Sequence, residues 1–354
     1  MLLIFSVLGL ALVFEYLNGF HDTANAIATI VATKVLSPRQ AILLAASCDL
    51  MGALVGTAVA STIATGLVDV EVVTMSTVLC ALLAGIVWNL VTWWFGLPSS
   101  SSHALIGGLC GAALASGDNH WSVIKWASVN PVTHAREGLW PKVLLPMVAS
   151  PFCGVIVGFV AMGVVIVLLR NWRPAKIRTV FGRLQWLSAS WMSFGHGMND
   201  AQKTMGIIAL TLFTATQSGR FDHLPSSFEF LRLPQFGIPT WVKIVCAVTL
   251  ACGTATGGWR IIRTVGHKVV KLQTVHGFVA QSSAASLIQV ASILGMPLST
   301  THIISTCIMG VGATKGLRAI RWTTVESMLW TWVLTLPVTG LLGYSLLQLS
   351  RRLF

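Results

Sequence analysis

The sequence predicts an all-α membrane protein, a polytopic helical bundle of two inverted repeats with broken helices or re-entrant hairpins. Three observations carry that prediction. Of 354 residues, 55% are hydrophobic and 10% charged, with a mean hydropathy of +0.78. The apolar blocks are long and helix-sized. Two polar motifs that interrupt them each occur twice, in the same order. Soluble domains carry about 25% charged residues, so most of this chain faces lipid or other membrane helices. Long apolar blocks favour a helical bundle over a barrel, and the length admits about ten crossings at roughly 20 residues each.

The first block has no basic n-region, carries Glu15 within the apolar run and lacks a small-x-small cleavage site. It is expected to remain as the first helix. The seven cysteines lie in apolar segments with no C-x-x-C pair, and read as small apolar side chains. Tryptophans at segment ends, such as Trp93, Trp94, Trp172 and Trp322, suit a membrane interface.

The net charge of +12 does not indicate nucleic acid, because the cations are segregated by loop. The stretches Lys34–Arg39, Arg170–Arg183, Arg260–Lys271 and Thr314–Arg321 hold 14 Lys/Arg and no acid. Residues 67–73, 116–142, 214–239 and the tail after Ser350 hold 7 Lys/Arg and 6 Asp/Glu. The positive-inside rule makes the first set cytoplasmic. Ten crossings are then expected at 1–33, 41–66, 74–95, 96–115, 143–169, 184–213, 240–259, 272–294, 295–313 and 323–349. Both termini fall outside the cytoplasm, in a cell inner membrane. The repeats are residues 1–169 and 184–354, joined by a basic cytoplasmic linker at 170–183. Segments 96–115 and 295–313 are short and open on Pro and Ser/Thr, so they read as crossings or as re-entrant hairpins.

The first copied motif is Gly19-Phe20-His21-Asp22-Thr23-Ala24-Asn25-Ala26 and Gly197-Met198-Asn199-Asp200-Ala201-Gln202-Lys203-Thr204. The second is Gly96-Leu97-Pro98-Ser99-Ser100-Ser101-Ser102-His103 and Gly295-Met296-Pro297-Leu298-Ser299-Thr300-Thr301-His302. Copies five crossings apart must be inverted, and inverted repeats with polar breaks mark a secondary transporter with its site near the midplane.

Asp22 and Asp200 sit mid-way along apolar crossings. A charge there costs about 2.5–3.5 kcal/mol, so such residues usually face a cavity and serve a function. A structural carboxylate pair is the plainer alternative, and equivalent positions in two repeats weigh against it. Gly19 and Gly197 permit helix breaks beside the acids. The Ser/Thr runs after Pro98 and Pro297 put hydroxyls beside free N–H groups at helix starts, which suits an oxyanion; one run alone would read as ordinary N-capping. For His103 and His302, substrate binding, proton relay and a hydrogen bond to their own helix all remain open. Glu15 and Asp49 read as helix–helix partners. The G-x-x-x-G spacings at Gly52/Gly56, Gly154/Gly158 and Gly253/Gly257 read as close helix packing.

These motifs resemble the Pit family of inorganic phosphate transporters over essentially the whole chain. The resemblance implies a symporter of phosphate with protons or sodium, built from two inverted repeats and often dimeric. Carried over by position, it nominates Asp22, Asn25, Asn199, Asp200 and Gln202, with Ser100, Ser101, Ser102, Ser299, Thr300 and Thr301, as substrate-binding residues. Lys203 departs from the sodium-coupled pattern, which has Asn there, and His21 replaces another Asn. Both departures resemble the bacterial, proton-coupled, low-affinity branch, whose cargo is often a metal–phosphate complex. The ammonium of Lys203 can replace one sodium ion, pair with Asp200 or bind phosphate itself. His21, Asp22, Asp200, His103 and His302 are the candidates for carrying the coupled proton. No cofactor and no resident metal are expected.

Sodium-coupled phosphate transport and proton-coupled sulfate transport are the nearest alternatives. Phosphate near neutral pH can donate a proton to an embedded carboxylate and sulfate cannot, which favours phosphate. An enzyme acting on phosphorylated lipids would need a nucleophile and base or a metal cluster at one interface, and no H-E-x-x-H, D-x-D or P-loop pattern occurs.

Overall fold

The computed structural model describes residues 2–129, 136–222 and 225–353. Parts of the 116–142 and 214–239 connections therefore lie outside the described residues. Twelve α-helices occur among those described: α1 (Leu2–Ala32), α2 (Pro38–Ala53), α3 (Ala58–Thr65), α4 (Met75–Phe95), α5 (Ser101–Ser116), α6 (Leu145–Leu169), α7 (Pro174–Gln217), α8 (Thr240–Thr256), α9 (Trp259–His267), α10 (Thr274–Ile293), α11 (Thr300–Ala313) and α12 (Trp322–Leu353). One short hairpin pairs Ser128–Val129 with Arg136–Glu137.

Local sequence accounts for the helix ends. Ser37 and Gln40 form a capping box ahead of α2, with Pro38 in the first turn, and Thr74 and Thr77 do the same for α4. Gly96 (φ 65°) and Gly295 (φ 64°) stop α4 and α10 in the left-handed conformation, and each is followed by Pro two residues on. Arg351 explains its own place near the C-terminus, where topology alone disfavours it. It donates to the Ala115 and Ser116 carbonyls at the end of α5, at 2.7 and 2.8 Å, and pairs with Asp118.

The helix breaks are not where the sequence suggested. Both α1 and α7 run unbroken through Gly19 and Gly197. These glycines serve close approach instead: Gly19 lies against the Leu250 and Thr254 backbone, and Gly197 against that of Asp49. The breaks fall at Gly56 (φ 81°) and Gly257 (φ 70°), where α2 gives way to α3 and α8 to α9, each with a bend of 70°. The Arg260–Lys271 stretch, expected as a loop, is helical from Trp259 to His267 because Ile261, Ile262 and Val265 supply a buried face. The basic stretch 170–183 likewise joins α7 from Pro174 onward.

Packing follows the repeat and exchanges partners across it: α1 packs on α8 and α2 on α7, while α6 packs on α11 and α12 on α5. Gly52 and Gly253 allow the first two contacts, against Phe194 and Tyr16 backbone, and Gly154 and Gly158 seat α6 on Thr306 and Cys307. Close packing therefore explains four of the six G-x-x-x-G glycines, and the two at the breaks have a conformational role. Large apolar side chains such as Phe152, Val164, Val333 and Leu341 cover the outer faces of α6 and α12.

By length and composition, four helices among the described residues can cross a membrane, or six if each bent pair counts as one span. This is fewer than the ten crossings expected. The remaining helices differ for a reason: α7 and α10 carry the polar interior, while α5 and α11, at 16 and 14 residues, are about 24 and 21 Å long. Those two fall short of a hydrocarbon core of about 30 Å. They reach most of the way across that core, with their N-termini ending inside the protein.

Candidate functional site

The N-termini of α5 and α11 meet the mid-points of α1 and α7. Every sequence-nominated residue is buried there, at 2% exposure or less. Asp22 on α1 accepts hydrogen bonds from Ser101 at 2.8 Å and Thr301 at 3.4 Å, and contacts His21 Nδ1 at 2.9 Å. Asn25, one turn further, donates Nδ2 to Thr300 and Thr301 at 3.1 and 3.0 Å. On α7, Lys203 Nζ donates to Asp200 at 2.6 Å, to the Leu298 carbonyl at 3.3 Å and to Ser102. The repeat relates these contacts, since Asn25 matches Lys203 and Thr301 matches Ser102. Each motif helix thus reaches the hydroxyl run of the opposite repeat.

Other nominated residues stand apart from this network. Ser100 and Ser299 cap their own helices, accepting from the His103 and His302 amides at 3.2 Å, as ordinary N-caps do. Asn199 turns to Ser292 at 2.8 Å and the Met296 carbonyl, tying α7 to α10. Its counterpart His21 makes the matching tie to Thr92 on α4 at 3.2 Å. Gln202 caps α3, its Oε1 accepting from the Val59 and Ala60 amides at 2.8 and 3.3 Å. His103 and His302 face each other edge to face with ring centroids 5.0 Å apart, and His302 stacks on Trp332 at 4.2 Å.

Two residues that sequence reasoning passed over complete the network. Asn18 Oδ1 accepts from Ser101 at 2.6 Å. His196 contacts Asp49 at 3.0 Å through Nδ1, and lies 3.4 Å from Asp200 through Nε2. Asn18 and His196 each precede a motif aspartate by four residues, on the same helix face, and occupy equivalent repeat positions. That spacing was the available signal. Glu15, read as a helix partner, accepts a hydrogen bond from Thr204 on α7.

Electrostatics explains why the groups converge. One oxygen of each of Asp22 and Asp200 and a His196 nitrogen lie within 4.8 Å of one another. Two carboxylates that close repel unless cations or donors compensate. Lys203 supplies one charge, and the N-terminal dipoles of α5 and α11 supply partial positive charge from the other side. Asn25 Oδ1, Asn199 Oδ1 and Asp200 Oδ2 have no hydrogen-bond partner.

Half-sites given in equal parts by two repeats, around buried carboxylates and hydroxyls, are the construction of a membrane transporter and not of an enzyme. The chain belongs to the phosphate transporter family, whose model matches residues 18–176 and again 168–343. The likeness read from its motifs is thereby borne out. Relatives named probable low-affinity inorganic phosphate transporter include one from Bacillus subtilis, 42% identical over 94% of this chain and 92% of its own. Another is from Rhizobium meliloti, 41% identical over 96% and 94%. A solved structure titled the sodium-dependent phosphate transporter superposes with a TM-score of 0.84 over the whole of both chains, at 23% identity, which establishes the shared fold.

Proposed function

We propose that this chain imports inorganic phosphate by proton symport, through alternating access around the buried site. Lys203 carries the reading. Where the other repeat has the neutral Asn25, this one has an ammonium 2.6 Å from Asp200. A fixed positive charge there repels a sodium ion and leaves a titratable group as the coupling element. The hydroxyls of Ser101, Ser102, Thr300 and Thr301, with the amides of α5 and α11, bind phosphate oxygens. Asp22 and Asp200 accept its proton or the coupled one, with His21 and His196 in contact with them. Gln202, Asn199, Ser100 and Ser299 hold the site's walls, and His103 and His302 pack behind it.

Each repeat, residues 1–169 and 184–354, supplies one motif helix and one short helix. Because α1 and α2 pack on α8 and α7, and α6 and α5 on α11 and α12, movement of these exchanged pairs against one another would open the buried site to either side. Phosphate arriving as a complex with a divalent cation, the metal being cargo, would bring that cation to the Asp22, His196 and Asp200 grouping against the charge of Lys203, so free phosphate fits this site better. The basic loops set the protein in the inner membrane with both termini outside the cytoplasm, and a homodimer is its expected form.

The test is uptake of labelled phosphate into proteoliposomes, with pH gradient and sodium varied separately and sulfate as competitor. Uptake that follows the pH gradient, ignores sodium and resists sulfate is expected. Strong sodium stimulation without a pH response would overturn the coupling, and equal competition by sulfate would overturn the substrate.

A further inference from the structure

The central polar groups belong to the site already described, but a second concentration of charge lies where α4 ends beside α9. We propose that this region binds the phosphodiester headgroup of an anionic phospholipid.

The region is built as a cradle. Helix α9 turns 70° from α8 and buries Ile261, Ile262 and Val265. Arg260, Arg263 and His267 are exposed on its other face, and the exposed Lys268 follows at its end. Arg260 is fixed: its guanidinium lies 4.9 Å from the Trp93 ring centroid and 4.6 Å from that of Trp94, and it donates to the Trp94 carbonyl at 2.5 Å. Arg263 and Lys268 are not held in this way. With Trp94, Phe95, Arg260 and Thr264 they bound a cavity of about 330 Å³. A second cavity of about 260 Å³ shares Phe95, Thr264 and Lys268 and reaches Thr323, Thr324 and Ser327 at the start of α12. No acidic residue lines either cavity.

The surroundings select the ligand. Trp94 and Phe95 are 62% and 69% exposed, so two large aromatic side chains stand open beside the cations. Aromatic rings and basic residues at the end of an apolar helix are placed at headgroup depth, with the apolar part toward acyl chains. A site for free phosphate has no use for that open aromatic wall. The positive-inside rule sets Arg260–Lys271 on the cytoplasmic side, facing the anionic leaflet, whereas helix α3, the counterpart of α9 in the inverted repeat, carries no Lys or Arg from Ala58 to Thr65.

Native mass spectrometry of the full-length protein, exchanged into phosphatidylglycerol or phosphatidylcholine, tests the assignment. The unmodified chain should retain phosphatidylglycerol in preference to phosphatidylcholine by about thirtyfold, the scale of two interfacial cations. The double variant Arg263→Gln/Lys268→Gln should lose that preference while keeping its unfolding temperature in phosphatidylcholine. Should that variant fail to fold, Arg263→Gln alone should lower the preference by several-fold. Equal retention of the two lipids, an undiminished preference in the variants, or displacement of phosphatidylglycerol by inorganic phosphate would each overturn the proposal.

Discussion

His196 on α7 contacts Asp49 on α2 at 3.0 Å, while its other ring nitrogen lies 3.4 Å from Asp200 in the central site. Asp49 in turn accepts from Thr254 on α8 at 2.7 Å. The chain of contacts therefore runs from a motif aspartate to the first halves of both broken helices. Any change of charge at Asp200 alters the force on α2 and α8 through groups that are wholly buried and unscreened by solvent. The bends at Gly56 and Gly257 lie within eight residues of Asp49 and Thr254, so this contact chain ends close to where the backbone can pivot.

Cutting that chain should cost both stability and transport. Asp49→Asn keeps shape but removes the carboxylate facing His196 and Thr254. We expect a loss of about 1–3 kcal/mol in unfolding free energy, the usual penalty for a buried polar partner removed. Phosphate uptake should fall more than the folded fraction does. Thermal unfolding and initial uptake rates on the same preparation check this, and wild-type values for both would make the His196–Asp49 contact dispensable.

Asp22→Asn and Asp200→Asn should each abolish uptake while the protein remains inserted and folded. Asp22 accepts from Ser101 and, across the repeat boundary, from Thr301, while Asp200 accepts from Lys203 on its own helix; the amide that replaces either offers donors where acceptors are needed. Size-exclusion profiles establish folding, and labelled phosphate uptake gives the outcome. Near-normal uptake by either variant would reduce that aspartate to a structural member.

Among the hydroxyls, position decides the effect. Ser101→Ala and Thr300→Ala remove groups aimed at the motif helices, and should weaken phosphate binding by about 0.5–1.5 kcal/mol per net hydrogen bond. Ser100→Ala removes an N-cap, and should lower stability by about 1 kcal/mol with little change in apparent affinity. Apparent affinity for phosphate, measured at subsaturating concentrations beside an unfolding curve, separates the two. If all three variants behaved alike, the division between caps and ligands would fail.

Much of this arrangement was legible in the sequence, and the misses have physical causes. Asp22, Asn25, Asp200 and the hydroxyl runs stand out in the copied motifs because polar residues inserted into apolar helices leave a plain mark, and the structure brings them together in its interior. Helix breaks were misplaced because glycine has two uses that sequence does not separate. Gly19 and Gly197 admit a neighbouring backbone, whereas Gly56 and Gly257 take a positive φ. Helix α9 is hidden in the sequence because its exposed Arg260, Arg263 and His267 mask the buried stripe of Ile261, Ile262 and Val265. Gln202 was read as a ligand because its motif position suggested one, and nothing local to it announces α3, whose amides it caps from more than 140 residues away.

Lys203 gives the most exacting prediction. Its ammonium is buried, bonded to Asp200 at 2.6 Å, and stands where the other repeat has Asn25. Lys203→Asn restores the symmetric pair of neutral side chains but leaves Asp200 without its cation. Removing one partner of a buried ion pair costs about 3–5 kcal/mol unless another cation arrives. In sodium-free buffer the variant should therefore be destabilised and transport poorly. Added sodium can fill the charge deficit beside Asp200, and a ligand that binds only the folded state stabilises it by mass action. The unfolding temperature of the variant should then rise with sodium, at constant ionic strength set by choline, while that of the parent stays flat. Uptake by the variant should gain a sodium dependence the parent lacks. A parent protein already stabilised and stimulated by sodium would show that the ammonium does not take a sodium ion's place, and the case for proton coupling would fall with it.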